Sequence, residues 1–392
     1  MLLGAVVLLL VGVLFGGHPA WLPSFMRGAF VARNQNERLV DTVMGLISHD
    51  YYRPVNTEAL LNSGLESGVA ALGDPYSHYY PPTLYRTFQS DMASQITGIG
   101  VQVELEPVAD GILIEEVIAG SPAARAGLVH GDVIEAVNGR GLEGLSVAQG
   151  AALIEGPVGS TVNLRVREPG RSGSLTVALK REIVQVPVIS GKLVRIDGEP
   201  VAYLRLTQFA ENSATQLRAE LRKLLAAGAR GIVLDLRDNP GGLVAQSVAI
   251  ASTFIAHGTI VSTRGRAVPS TVYRALGDPL AARLPMAVVV DRGTASSAEI
   301  LTAALQDHSR ALVVGTHTYG KGVFQEIVPL FNGGALDLTV GEYFTPNGRN
   351  LGGGGVRRGA GVSPNIYVPE NPATGSSRAL QVAEQLVARE AR

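Results

Sequence analysis

The chain has 392 residues, which at roughly 150 per domain predicts two or three domains. Apolar residues make up 46% and charged residues 17%, enough for sizeable cores and too apolar for global disorder. Lys plus Arg number 33 against 34 for Asp plus Glu, so the net charge of -1 argues against a nucleic-acid partner held by a basic field, and the absence of cysteine excludes disulfides, thiol nucleophiles, Fe–S clusters and Cys-ligated zinc.

The first charged side chain is Arg27, and Leu2 to Phe15 is almost entirely Leu, Val, Gly and Ala. These residues fall short of the ~20 that span a bilayer upright, and neither a basic n-region nor an A-x-A site frames them. A buried core helix is the alternative, but the terminal position and the lack of a polar face argue against it. Residues 1 to 26 therefore read as an export signal or a membrane anchor, with cleavage left open, and the expected location is the periplasm or cell envelope.

Residues 30 to 92 read as helical, with Leu39, Val43, Leu46 and Ile47, then Leu60, Leu61, Leu65 and Val69, at helical spacing. Gly73-Asp74-Pro75-Tyr76-Ser77 is a loop by its breaker residues. From Ile96 short strands are expected at Gly98 to Leu105, Ile112 to Val117, Val133 to Val137, Val162 to Val166 and Leu175 to Leu179. A helical window lies at Ser146 to Glu155. This β-rich module occupies residues 96 to 182, and Asp91 to Thr97 and Val186 to Lys192 read as its flexible exits. Beyond it, strands alternate with helices: Val201 to Leu206, Ser213 to Ala226, Gly231 to Leu236, Leu243 to Ile255, Met286 to Val290, Ser297 to Leu305 and Ala311 to Val314. That alternation predicts an α/β layer on a largely parallel sheet over residues 185 to 370. A linker and a terminal helix, Ser377 to Ala391, fill residues 371 to 392.

In the β-rich module Gly98-Ile99-Gly100-Val101 opens a strand. Gly120-Ser121-Pro122-Ala123, Ala126-Gly127-Leu128, Gly131-Asp132-Val133-Ile134 and Val137-Asn138-Gly139 follow in order. This set resembles a bacterial, circularly permuted PDZ domain. The resemblance implies that an extended peptide adds to the strand after Gly98, with its carboxylate on the backbone N–H groups of that loop. Glycine at 98 and 100 leaves the backbone open to such an approach.

Only four of the basic residues are lysines: Lys180, Lys192, Lys223 and Lys321. Lys321 stands between two glycines in Thr318-Tyr319-Gly320-Lys321-Gly322, where Arg would serve equally as a surface charge. Lys can shed its proton and act as a base; Arg cannot. In Gly293-Thr294-Ala295-Ser296-Ser297-Ala298-Glu299-Ile300 a small-residue turn leads from an apolar strand into a helix, a setting that exposes a serine hydroxyl beside free helix N–H groups. Read alone, Ser296 and Ser297 are N-caps.

Ser296, Lys321 and Gln325, in that order after the PDZ-like module, resemble the carboxyl-terminal processing (tail-specific) serine peptidases. The likeness extends to Asp74-Pro75-Tyr76-Ser77, to Leu236-Arg237-Asp238-Asn239-Pro240-Gly241-Gly242 and to Tyr343-Phe344-Thr345-Pro346-Asn347-Gly348-Arg349, covering roughly residues 35 to 370. It implies an α/β (crotonase-like) Ser/Lys peptidase core, with Ser296 as nucleophile, Lys321 as general base and Gln325 orienting it. The oxyanion donors it implies are the backbone N–H of Ser297, where the family usually has Ala, and of Gly241 or Gly242. A lysine at pKa ~10.4 is neutral about once in 2,500 at pH 7, equivalent to roughly 4.6 kcal/mol, so burial has to lower that value. No cofactor is needed. Substrates would be polypeptides with free, apolar C-termini; nucleic acid is excluded, while membrane association and homo-oligomerisation stay open. A Ser/His/Asp hydrolase using His308 or His317 with Asp291 or Asp307 is the rival mechanism, and a non-catalytic PDZ scaffold the rival class. A metalloprotease finds no H-E-x-x-H, and thioester hydratases need no PDZ module.

Overall fold

A computed structural model describes residues 35–104, 111–171, 173–369 and 377–392. The expected export segment and Leu105, the end of the first expected PDZ strand, lie outside the described residues. The chain divides into residues 1–69 and 70–392. The first unit holds α1 (Gln35–Asp50) and α2 (Thr57–Ala70), which ends at the boundary; neither helix has a buried residue. No described helix is long and apolar enough to cross a membrane.

The second unit opens with β1 (His78–Tyr80) and α3 (Pro82–Met92). Next comes the β-rich module: β2 (Gln95–Gly98), β3 (Val101–Val103), β4 (Ile112–Val117), α4 (Pro122–Arg125), β5 (Val133–Val137), β6 (Arg140–Gly141), α5 (Val147–Ile154), β7 (Thr161–Arg167), β8 (Ser174–Lys180) and β9 (Glu182–Gln185). Strands β3-β4-β5-β7-β8 form one sheet. In β7, alternation buries Val162, Leu164 and Val166 beneath exposed polar neighbours. Helix α5 starts with a reciprocal cap between Ser146 and Gln149. It packs so closely that a Cβ on Gly150 would stand 2.2 Å from Ile112 Cδ1.

The expected flexible exits are instead tied to each other. Strands β2 and β9 pair from Gln95↔Gln185 to Gly98↔Glu182. The Val186 amide donates to the Ser94 carbonyl, and Ser94 Oγ donates to the Val186 carbonyl, each at 2.8 Å. The module thus leaves the core on one two-stranded ribbon.

The core domain runs through β10 (Ile189–Ile196), β11 (Glu199–Leu206), α6 (Ser213–Ala226), β12 (Gly231–Asp235), α7 (Val244–Phe254), β13 (Thr259–Gly265), β14 (Thr271–Arg274), β15 (Met286–Val290), α8 (Ser297–Asp307), β16 (Leu312–Gly315), β17 (Val323–Pro329), β18 (Ala335–Phe344), β19 (Ile366–Tyr367) and α9 (Arg378–Glu390). Its main sheet is ordered β10-β11-β12-β15-β16-β19, parallel except for the β10–β11 hairpin. Both faces are covered, which explains the unbroken apolar runs of β12 and β15. Leu234 and Val288 face a cluster with Leu217, Phe254 and Leu301 of α6, α7 and α8. Val233 and Val289 face Ala383 and Val387 of α9.

A second antiparallel sheet, β1-β18-β13-β14 with β17 also on β18, was not anticipated from the sequence. It stands beside the first and brings Gln325 and Thr339 opposite each other on β17 and β18.

Candidate active site

Three loops leave the carboxyl ends of β12, β15 and β16, the edge where open parallel sheets hold their ligands. Asp291 gathers the first two: its Oδ1 accepts from the amides of Asp238 (3.0 Å), Gly293 (2.9 Å) and Thr294 (3.1 Å). Thr294 Oγ1 donates to the Leu236 carbonyl at 2.8 Å, and the Ala295 amide donates to the Asn239 carbonyl at 2.9 Å. Held this way, Ser296 adopts φ 53 and ψ -118, a conformation an L-residue rarely takes and one that costs about 1–3 kcal/mol. The strained turn from strand to helix is the geometry that presents a nucleophile at a sheet edge.

Gly241 lies directly against this turn. A Cβ there would stand 2.8 Å from the Ala295 carbonyl oxygen, from Ser296 Cβ and from Ser297 N, so only glycine permits the approach. Of the two glycine amides expected as oxyanion donors, that of Gly241 is engaged by Asn239 Oδ1 at 2.9 Å. The Gly242 amide has no partner among the described residues, and the Ser297 amide, first of a helix, has none within α8. Ser297 was expected to matter only through its backbone. Its buried hydroxyl instead donates to the Gly242 carbonyl at 2.7 Å, joining the two segments that carry those amides.

Glu299, not assigned a role from the sequence, binds the serine and lysine segments together. It is fully buried. Its Oε2 accepts from the amides of Ser296 and Lys321, both at 3.0 Å, which places those nitrogens within twice that distance of each other. Its Oε1 accepts from Thr318 Oγ1 (2.5 Å) and the Gly320 amide (2.7 Å). Burial pushes its carboxyl up from the ordinary range, against the pull of these four donors. The Ser-x-x-Glu spacing of a capping box was the available signal.

Lys321 sits in the loop from β16 to β17. Its flanking glycines are required: a Cβ on Gly320 would stand 2.3 Å from the Gly359 carbonyl oxygen, and one on Gly322 2.2 Å from Asn350 Oδ1. Lys321 Nζ donates to Gln325 Oε1 at 2.6 Å and lies 4.8 Å from the centre of the Tyr76 ring. Burial lowers its pKa, partly offset by the charges of Asp337, Asp74 and Glu299. An amide oxygen orients the amine without stabilising its charge as a carboxylate would. Among the described residues no hydrogen bond joins Nζ to Ser296 Oγ; such contacts are often long before substrate binds.

The other sequence candidates have structural partners. His308 Nε2 is within 2.7 Å of the Thr259 carbonyl, and its ring packs on Gly258, away from Ser296. His317 pairs at 3.4 Å with Ser363 Oγ. Asp307 accepts from Arg349 Nη2 (2.6 Å) and the Asn347 amide (3.0 Å), which accounts for the Pro346-Asn347-Gly348-Arg349 turn. Buried Asp235 holds Arg237 through Nε (2.9 Å) and Nη2 (2.6 Å) and accepts from the Tyr203 hydroxyl at 2.9 Å. Among the described residues no group of His, Asp and Glu is arranged to hold a metal ion.

In the β-rich module Gly98, Ile99, Gly100 and Val101 line a cavity of about 360 Å³ with Ile118, Ala151 and Ile154. Among the described residues no strand pairs with the edge of β3 away from β4, as addition of a peptide strand requires. Gly100 has φ +80, and a Cβ there would stand 2.2 Å from Ser121 Cβ; at Gly98 the space is open. The Ile99 side chain is buried in the module's core, so this residue offers its backbone alone.

Comparison with known proteins agrees with this anatomy. The model of Peptidase family S41 matches residues 200–368, and that of the PDZ domain matches residues 113–168. The chain is 35% identical over 320 residues to a carboxyl-terminal-processing protease of Picosynechococcus, covering 82% of this chain and 76% of the relative. It is 34% identical to a carboxy-terminal-processing protease of Bartonella bacilliformis, covering 80% and 70%. The solved photosystem II D1 C-terminal processing protease superposes with a TM-score of 0.50 at 25% identity, over 92% of this chain and 98% of that one. A putative S41 protease of Bacteroides fragilis shares the fold with a TM-score of 0.52, over 87% and 90% of the two chains, at 20% identity. With a PDZ module upstream of the S41 core, the chain belongs to the carboxyl-terminal-processing serine peptidases of family S41.

Proposed function

We propose that this protein is an exported endopeptidase that selects unfolded polypeptides by their C-termini and cleaves them with a Ser296/Lys321 dyad. Ser296 Oγ attacks the scissile carbonyl carbon while neutral Lys321 Nζ takes its proton. The tetrahedral oxyanion is met by the N–H groups of Ser297 and Gly242. Lys321 then returns the proton to the departing amine, leaving an ester on Ser296. Water, deprotonated by the same Nζ, cleaves that ester and restores the serine. Gln325 Oε1 holds one N–H of the amine, which turns the lone pair of the neutral form away from itself.

The carrying observation is Glu299: one buried carboxylate accepts from the backbones of both Ser296 and Lys321. The PDZ groove recruits the substrate, its carboxylate on the Gly98–Val101 loop and its last apolar side chain among Ile118, Ala151 and Ile154. Export rests on the apolar run Leu2 to Phe15. Ser296→Ala and Lys321→Ala should each reduce cleavage of an unfolded, apolar-tailed polypeptide by at least ~10³-fold with binding retained. Turnover retained in Lys321→Ala would move the base to His317. Equal cleavage of free and amidated tails would remove the role of the PDZ groove.

A further inference from the structure

We propose that Asp74 is a positioning residue for the base, acting on Lys321 through Thr339 and Gln325. The inference rests on the dyad reading above and extends it to a loop more than 200 residues away in sequence.

The geometry is a continuous chain of donors. Lys321 Nζ donates to Gln325 Oε1 at 2.6 Å, and Gln325 Nε2 donates to Thr339 Oγ1 at 2.9 Å. The Thr339 side chain faces the Asp74 carboxylate, and its backbone amide is tied to that carboxylate through Ser77 Oγ. A hydroxyl proton directed to the carboxylate leaves Thr339 Oγ1 as the acceptor of the Gln325 Nε2 bond. This fixes the amide so that its oxygen, not its nitrogen, faces Lys321. The loop holding Asp74 is pinned as well. Asp74 Oδ2 accepts from Ser77 Oγ at 2.5 Å and Oδ1 from the Tyr76 amide at 2.9 Å, while Ser77 Oγ accepts from the Thr339 amide at 2.9 Å. Strand β1 then pairs with β18 at His78↔Asp337, closing the arrangement from the other side. Polarisation along such a chain strengthens each bond, and here the chain ends in a charge.

The groups facing Lys321 come from four elements: Asp74 and the Tyr76 ring from the loop before β1, Gln325 from β17, Asp337 from β18, and Glu299 from α8. The groups facing Asp74 are Lys321, Asp337, His78, Ser77, Thr339 and the Tyr76 amide. Burial raises the Asp74 carboxyl, but its hydrogen bonds outweigh that and hold it below its ordinary value. Its charge favours the cationic form of Lys321. Asp74→Asn keeps the shape and removes the charge; with its oxygen on the Tyr76 amide its NH2 stands against Ser77 Oγ, which must then accept rather than donate.

The test uses the full chain labelled with 13Cε-lysine. Only four lysines give signals, and Lys321→Ala identifies the one at the site. In Asp74→Asn the Lys321 signal should titrate at lower pH than in the wild type. The acid limb of kcat/KM should move with it, and the plateau should fall about tenfold as the base weakens and its orientation loosens. Thr339→Val should lose about tenfold, and Thr339→Ser, which keeps the hydroxyl, should recover to within about threefold of the wild type. A folded Asp74→Asn protein whose Lys321 titrates as in the wild type overturns the proposal, as does Thr339→Ser no better than Thr339→Val. If Asp74→Asn fails to fold, which the same spectrum reveals, the Thr339 pair decides. Turnover retained in Lys321→Ala sinks the dyad reading itself and is distinct from either failure.

Discussion

Replacing Gly241 by alanine should disable the peptidase while leaving the PDZ groove intact. Its Cβ would stand 2.8 Å from three atoms of the nucleophile turn, against the 3.4 Å at which ordinary contact begins. The turn must therefore retreat by roughly 0.6 Å, and it cannot do so freely, because Thr294 and Ala295 are bonded to the Leu236–Asn239 loop. A misplacement of ~1 Å in a catalytic group costs about 10²-fold, so kcat should fall by about that factor, or ~2.7 kcal/mol. Gly241 also has φ +99, which adds about 1–2 kcal/mol of backbone strain in any L-residue. Gly198 supplies the control: it has φ +89 in the β10–β11 turn with open space around it, so Gly198→Ala carries the strain without the collision. The assay compares the two variants by thermal melting, by kcat on a quenched peptide and by labelling of Ser296 with a fluorophosphonate. Both should melt lower, and only Gly241→Ala should lose turnover and labelling. If kcat for Gly241→Ala lay within twofold of that for Gly198→Ala, the close packing of this loop on the nucleophile would have no catalytic meaning.

Three further outcomes follow from the same geometry. Glu299→Gln places an NH2 against two of the four donors the carboxylate now accepts from, so turnover should drop at least ~10²-fold and stability by about 2–4 kcal/mol, read by peptide assay and denaturant titration. Lys321→Met should flatten the pH dependence of melting. Burial lowers the folded-state pKa of Lys321 below the unfolded value near 10.5, so the unfolded chain binds the extra proton between the two, and wild-type stability rises with pH across that window. The methionine variant lacks this contribution, and an unchanged slope would show that Lys321 is not held neutral by burial. Gly100→Ala drives a Cβ to 2.2 Å from Ser121 Cβ; it should raise KM for a free apolar tail while sparing turnover of a short peptide that cannot reach the groove.

How much of this was legible in the sequence depends on where each residue's partners lie. Helix α6 and strand β15 stand at their expected bounds, because an amphipathic stripe and an apolar strand buried on both faces are local signals. Strands β13, β14, β17 and β18 were not assigned. They are only partly buried, and β17 reads V-F-Q-E-I-V-P, with polar and charged residues breaking the run. Ser296 and Lys321 stood out because small residues around a hydroxyl or an amine are a local oddity. Glu299 did not, since a glutamate in the first turn of a helix ordinarily compensates the helix dipole at the surface. It is buried only because the Thr318–Lys321 loop folds over it. Thr339 was invisible with its strand, and Asp74 was legible as part of a motif but not as a group near the lysine.

These misses share one cause, and it bears on how the site is assembled. The parallel sheet supplies the Ser296 turn and the glycine loop, both fixed by hydrogen bonds among the carboxyl ends of its own strands. The surroundings of Lys321, the proposed base, come from the second sheet, through Gln325 on β17, Thr339 and Asp337 on β18, and the Asp74–Ser77 loop ahead of β1. Lys321 lies on the connection from β16 of one sheet to β17 of the other, and the Glu299 carboxylate is the clasp between its backbone and that of Ser296. The position of Ser296 is therefore set within one layer, whereas the surroundings of Lys321 Nζ are set by how the second layer sits against it. With the proposed dyad, a change in the second sheet should reach catalysis through the pH profile without touching Ser296, whereas a change at the glycine loop should act on kcat at every pH.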